Sequence, residues 1–269
     1  MRLIQYAHPK TLIQENNVNY ISLEQAKNTS GVRIVCTRLV PGPWGEAAKA
    51  IFRLRSVPFH VVAQSGGEQN NDIVDWTGHR NAPIIMHNDE SPRVRAMEII
   101  ELAERLGSGP SLLPIDIAER IQVVGLINEI AGEDGFAWNG RLLMLKPGYD
   151  KQGDKILNTP MYKDYYSPAS ADKALGRIKE ILGHLTQQIK SQQARGSAYL
   201  VGDELTAADV HWAYFSQMLN PYPHEQNPMP SFLRKSWGVV ASSLGDYDSA
   251  LIEQRNAIFT RHLELPIDF

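Results

Sequence analysis

Hydrophobic and polar positions along the chain change period near residue 107. Before it, short apolar runs at residues 32–37, 59–64 and 84–86 have the length of buried strands. Between the first two, Ala47, Ile51 and Leu54 recur at the i, i+4, i+7 spacing of one helical face. After the third, Val94, Met97, Ile100 or Glu101, and Ala103 fall around one helical face, widened by Ile99 and Leu102. This second helix is expected to open with Ser91 as N-cap and Pro92 at its first position. A serine hydroxyl accepts from an unpaired backbone N–H there, and proline has no N–H to lose. The sequence Gly107-Ser108-Gly109-Pro110 then breaks the helix and reads as a linker.

Beyond the linker the period is helical. Residues 115–130 are apolar on a broad face, and Leu175, Ile178, Leu182, Leu185 and Ile189 mark four turns within 169–193. Residues 206–219 and 246–262 read as two further helices. Thr206 is a good N-cap, with Asp209 placed to return a hydrogen bond to the cap and Leu205 and Val210 as a hydrophobic staple. Trp212 and His211 fall inside that helix and read as core. Residues 137–166 carry Trp138, Tyr149, Tyr162, Tyr165 and Tyr166 without clear periodicity, and are expected to form a long irregular stretch. Residues 18–23 suit an extra edge strand. The fold class expected is an α/β N-terminal domain, a mixed sheet with flanking helices, followed by an all-α helical bundle. The boundaries expected are an N-terminal extension at 1–30, the first domain at 31–107 and the second at 108–269.

The segment from Asn81 through Ala82-Pro83 to Glu90-Ser91 is where chemistry enters. A helix that starts at Ser91 points unpaired N–H groups and a positive dipole end at whatever lies before it, which suits an anion. Glu90 beside it can accept from an ammonium group. A carboxylate pocket next to an amine acceptor is what the α-carbon end of a γ-glutamyl group needs, although an ordinary helix cap has the same residues. Strand, helix, strand, Ala-Pro strand and Glu-Ser helix follow the order of a thioredoxin-like domain. Together with Tyr199-Leu200-Val201-Gly202-Asp203-Glu204-Leu205-Thr206-Ala207-Ala208-Asp209 downstream, the chain resembles the glutathione transferase superfamily over roughly residues 31–260.

The resemblance implies glutathione as co-substrate, a cis peptide before Pro83 and a homodimer. It gives Ala82 the cysteinyl amide, Asn81 the glycyl end, and Glu90 and Ser91 the γ-glutamyl end. It also implies a second-substrate pocket built from the helical domain, with Trp138, Arg141, Tyr165, Tyr166 and Trp212 as candidate lining, Trp212 the one best read as core. At one position the chain departs from the family. A Tyr, Ser or Cys at the strand end or helix start activates the thiol there, and this sequence has Gly42 before Pro43, or Arg38 in a tyrosine-type alignment. The candidates left open are the Thr37 hydroxyl, the Arg38 charge and the backbone N–H groups around Trp44 and Gly45, the last favoured. Cys36, in mid-strand, reads as core. Two functions therefore stand: a transferase acting on a small hydrophobic electrophile, or a non-catalytic binding protein of the same fold.

Composition narrows the alternatives. Lys plus Arg number 27 against 30 Asp plus Glu, a net charge of −3, which gives no electrostatic case for nucleic acid or an anionic membrane. One cysteine leaves no disulfide framework and no multi-cysteine metal site, so no metal is expected. No apolar run approaches the roughly 20 residues of a membrane span, and a cytoplasmic protein is expected.

Overall fold

The structure is a computed structural model that describes residues 18–269. The part of the expected extension before residue 18 lies outside the described residues. The elements run β1 (Tyr20–Ile21), α1 (Leu23–Lys27), β2 (Val32–Thr37), α2 (Pro43–Leu54), β3 (Phe59–Gln64), α3 (Asn71–Thr77), β4 (Ile84–His87) and α4 (Ala96–Leu106). The helical part follows as α5 (Ile117–Ala131), α6 (Phe136–Gln152), α7 (Pro160–Tyr165), α8 (Pro168–Ala194), α9 (Ala207–Phe215), α10 (Ser231–Leu244) and α11 (Ala250–His262).

The four strands form a mixed sheet in the order β1-β3-β2-β4. β2 runs parallel to β3, from Val32 opposite Phe59 to Thr37 opposite Gln64, and antiparallel to β4, with Val35 opposite Ile84. β1 is the edge strand expected at residues 18–23, paired parallel to β3. Alternate residues of a strand point to opposite faces. Val32, Ile34 and Cys36 accordingly join α2 and α4 in one core, while Val35, Val62, Ile84 and Met86 meet Ile73 and Trp76 of the α3 layer in another.

The first core continues into the helical domain without interruption. Trp44 of α2 donates its indole N–H to the Ala131 carbonyl at 2.8 Å and meets Phe215 edge-on at 4.9 Å. Trp212 and His211 are buried as expected. The Trp212 indole donates to the Leu251 carbonyl at 2.9 Å, and burial pushes the His211 imidazole down to about 4.

Three expectations need correction. Residues 137–166 are not irregular: they form the rest of α6, a 3₁₀ segment at Gly153–Asn158, and α7. Pro147 lies inside α6, and Gly148 leaves room for the Tyr162 hydroxyl, which a Cβ there would strike. That hydroxyl donates to the Leu145 carbonyl at 2.7 Å and joins the two helices. Second, α10 has no counterpart in the sequence reading. Third, α4 starts at Ala96 with Arg95 in the cap position, not at Ser91. Among the described residues no helix is long and apolar enough to cross a membrane, and no group of three or more His, Cys, Asp or Glu is placed to hold a metal.

Candidate functional site

A cavity of about 510 Å³ lies between the carboxyl end of β2, the start of α2, the Ala82–Pro83 segment and the helical domain. Its first wall is backbone-rich. Gly42 occupies the cap position of α2 with extended backbone and no side-chain cap, and Pro43 follows in the first turn. The first N–H groups of a helix have no partner within it, so Trp44 and Gly45 bring unpaired donors and the positive dipole end to this wall. Gly45 also packs closely, since a Cβ there would stand 3.3 Å from the Cys36 sulfur. Burial pushes the Cys36 thiol up to about 12, so it stays protonated core, as expected.

Thr37 stands at the end of β2 in the same wall, and its hydroxyl receives a long hydrogen bond of 3.4 Å from the Gln64 amide. The loop beyond β3 closes over it. Asn70, in a left-handed conformation, ties this loop together by accepting from Ser65 N and donating to the carbonyls of Ser65 and Glu68 at 2.9–3.0 Å. Arg38 does not join Thr37: its side chain is exposed and lies outside the wall.

On the opposite side, Asn81, Ala82 and Pro83 all line the cavity, and the Ala82–Pro83 bond is cis. Asn81 is engaged across the domains, accepting a hydrogen bond from the Tyr165 hydroxyl at 2.5 Å. Arg80 and Asp164 form an ion pair beside it.

Glu90 and Ser91 are elsewhere. Ile85 and Arg93 exchange two backbone hydrogen bonds of 2.9 Å, so residues 84–94 form a hairpin with Glu90 and Ser91 near its far tip. Ser91 is exposed and caps nothing. Glu90 is clasped by Arg105 at 2.6 Å, His87 at 2.7 Å and Arg93 at 2.5 Å. The hydrogen bond from Arg105, then those from His87 and Arg93, hold its carboxyl down to about 2. Continuing the Ile85–Arg93 register brings Arg95 opposite Pro83. Arg95 itself is exposed at the cap of α4 and is not among the residues that line the cavity; it was not singled out from the sequence. The signal available was the distance from Ile84 to the first fully helical turn, which leaves room for a returning strand.

The helical wall is supplied by α6, α7 and α10. Of the residues expected there, Arg141 and Tyr165 line the cavity. Trp138 lies behind Arg141, edge-on to Tyr165 at 6.2 Å, and Tyr165 rather than Tyr166 faces the space. Tyr166 is packed between Tyr149 and Tyr162, with ring centres 5.2 and 5.4 Å away. Met144, Met161, Phe232, Leu233 and Trp237 make the rest of this wall apolar.

The comparisons with known proteins agree with this architecture. Residues 150–227 match the family model described as glutathione S-transferase, C-terminal domain. No curated protein matches the sequence. Among solved structures, a glutathione transferase family member from Pseudomonas fluorescens with two glutathione bound is 13% identical, with a TM-score of 0.59 over 90% of this chain and 97% of that one. A glutathione S-transferase from Methylobacterium radiotolerans in complex with glutathione sulfonate is also 13% identical, with a TM-score of 0.56 over 86% and 91%. Ure2p in complex with glutathione is 12% identical, with a TM-score of 0.53 over 84% and 98%. At such identities the likeness is one of fold.

Proposed function

We propose that the chain, whose residues 150–227 match the glutathione S-transferase C-terminal domain model and whose fold is shared with glutathione transferases of known structure, is a member of that superfamily and a glutathione-using transferase acting on a small hydrophobic electrophile. The observation that carries the reading is the cavity itself. It joins a helix N-terminus with free N–H donors, the Ala82–Pro83 backbone and a largely apolar wall from a second domain. A free thiol has a pKa of about 8.5 and is mostly un-ionised at neutral pH, so the enzyme must favour the thiolate. Here the N–H groups of Trp44 and Gly45, with the Thr37 hydroxyl as a further donor, do so in place of the usual side chain. Ala82 pairs with the cysteinyl amide, and Arg95 with the start of α4 takes the γ-glutamyl carboxylate. That structures of the same fold hold glutathione or glutathione sulfonate supports glutathione as the co-substrate. The reading retains the cytoplasmic homodimer expected from the sequence and the family.

A second reading is a glutathione-binding protein without turnover. Gly42 favours it, because the helix cap where the family carries its activating hydroxyl or thiol has no side chain. Isothermal titration with glutathione and S-hexylglutathione, followed by turnover of an aromatic halide, separates the two. Tighter binding of the hexyl form with turnover is expected. Binding without turnover for a panel of electrophiles selects the second reading, and no binding of either ligand overturns both.

A further inference from the structure

The cavity wall contains two cations, and only one of them is neutralised. Arg80 is paired with Asp164. Of the two buried or half-buried acids in the wall, Asp164 is thereby occupied, and Glu46 lies 2.9 Å from Lys49. Arg141 has neither an ion pair nor a hydrogen bond to any described residue. Its guanidinium is instead set among three rings, 4.2 Å from the centre of Tyr165, 4.4 Å from Trp44 and 5.4 Å from Trp138.

The rings attract the cation through their π faces, but none of its five N–H donors has a hydrogen-bond acceptor among the described residues. Burying a cation without a carboxylate is costly, and removal from water lowers the Arg141 pKa below its ordinary value while leaving the group charged. Met161 and Phe232, both exposed apolar residues, stand in the same wall. An apolar body can rest on them while a planar anion meets the fork.

We propose that Arg141 is the binding residue for a carboxylate on the second substrate, so that the acceptor is an apolar carboxylic acid and not a neutral hydrophobe. This deepens the transferase reading and rests on it for the word substrate. The anion site itself stands on Arg141 and its cage.

The test uses 4-phenylbutyrate and 4-phenylbutan-1-ol, which share a body and differ in charge, with tryptophan fluorescence as the readout because Trp44 and Trp138 flank the guanidinium. The acid is expected to bind at least about tenfold tighter than the alcohol, the value of one charge-assisted hydrogen bond. Arg141→Gln is expected to remove that preference while leaving alcohol binding unchanged. Arg141→Lys, which keeps the charge and loses the fork, restores it in part. Equal binding of acid and alcohol by the unmodified protein overturns the proposal without reliance on any variant. Displacement of the acid by glutathione alone also overturns it, since Arg141 would then hold the tripeptide's own carboxylate. Neither probe contains glutathione, so failure of glutathione to bind in the separate titration counts against the transferase reading and not against the anion site.

Discussion

Thr206-Asp209 and Ser91-Pro92 both carry the sequence signature of a helix start, and only the first of the two is one. Thr206 and Asp209 form the expected capping box: the Asp209 carboxylate accepts from Thr206 N at 2.9 Å and from the Thr206 hydroxyl at 2.8 Å. It also accepts from Leu200 N at 2.7 Å and Gln254 at 2.9 Å, so one buried acid ties the loop before α9 to α11. At Ser91-Pro92 the local chemistry is as good, yet Arg93 is drawn into a bridge with Ile85 and the helix waits until Ala96. Capping energies of about 1 kcal/mol are decided by what else the backbone can pair with. Next to a strand with a free edge, pairing wins. In a loop with no strand beside it, the cap wins.

The sharpest way to break this contrast is Asp209→Ala. Four donors lose a buried acceptor, and a cost of about 3–5 kcal/mol is expected, seen as a Tm lower by roughly 10 °C. A change under about 1 kcal/mol in urea unfolding would show that the box is ornamental.

His211, in the same helix, gives the next effect, and its sign is fixed. Its folded pKa of about 4 lies below the unfolded 6.5, so the unfolded chain takes up the proton first and stability falls as pH drops between those values. On its own this is worth on the order of 3 kcal/mol by the lower end of the window. Asp209, raised by burial to about 6 from 3.8, works the other way, losing stability as pH rises through that range. Unfolding of His211→Gln at pH 7 and pH 4.5 isolates the histidine term. The wild type is expected to lose more stability than the variant between the two.

At the other segment the expected effects are smaller and concern binding. Arg95→Ala is expected to weaken glutathione about tenfold, by loss of one charge-assisted contact, while Glu90→Gln with Ser91→Ala leaves titration unchanged. The reverse pattern would return the γ-glutamyl end to the hairpin tip. Smallest of all, Thr206→Ala is expected to cost about 1 kcal/mol of stability and Ser91→Ala nothing measurable.

What was legible follows the same division. Strands β2, β3 and β4, helices α2 and α8, and the Thr206–Asp209 box are each announced by residues that interact within a few positions of one another. The hairpin that displaces Ser91 depends on a partner strand, and α6 hides behind Pro147-Gly148, a breaker pair that the chain uses to admit Tyr162. Helix α10 left a faint mark in Trp237, Val240 and Leu244, spaced i, i+3, i+7 and all buried, just after the helix-breaking Pro221, Pro223, Pro228 and Pro230. In the cavity, Thr37, Trp44, Asn81, Ala82, Pro83 and Arg141 stand where the sequence directed attention. Arg38, Glu90 and Ser91 do not, because adjacency in sequence says little about the direction of a turn.

The first helix of the sheet domain is held from across the molecule. Lys49, 1% exposed, donates to the backbone of Asp268, whose carboxylate grips Arg53 at 2.5 Å, while Ile267 and Phe269 sit in the shared core. A chain cut at the linker would leave α2 with Arg53 lacking its carboxylate, an indole without its acceptor and a broad greasy flank. The two domains are therefore expected to melt as one calorimetric transition, and any motion that opens the cavity must be a movement of its rim rather than a parting of the halves.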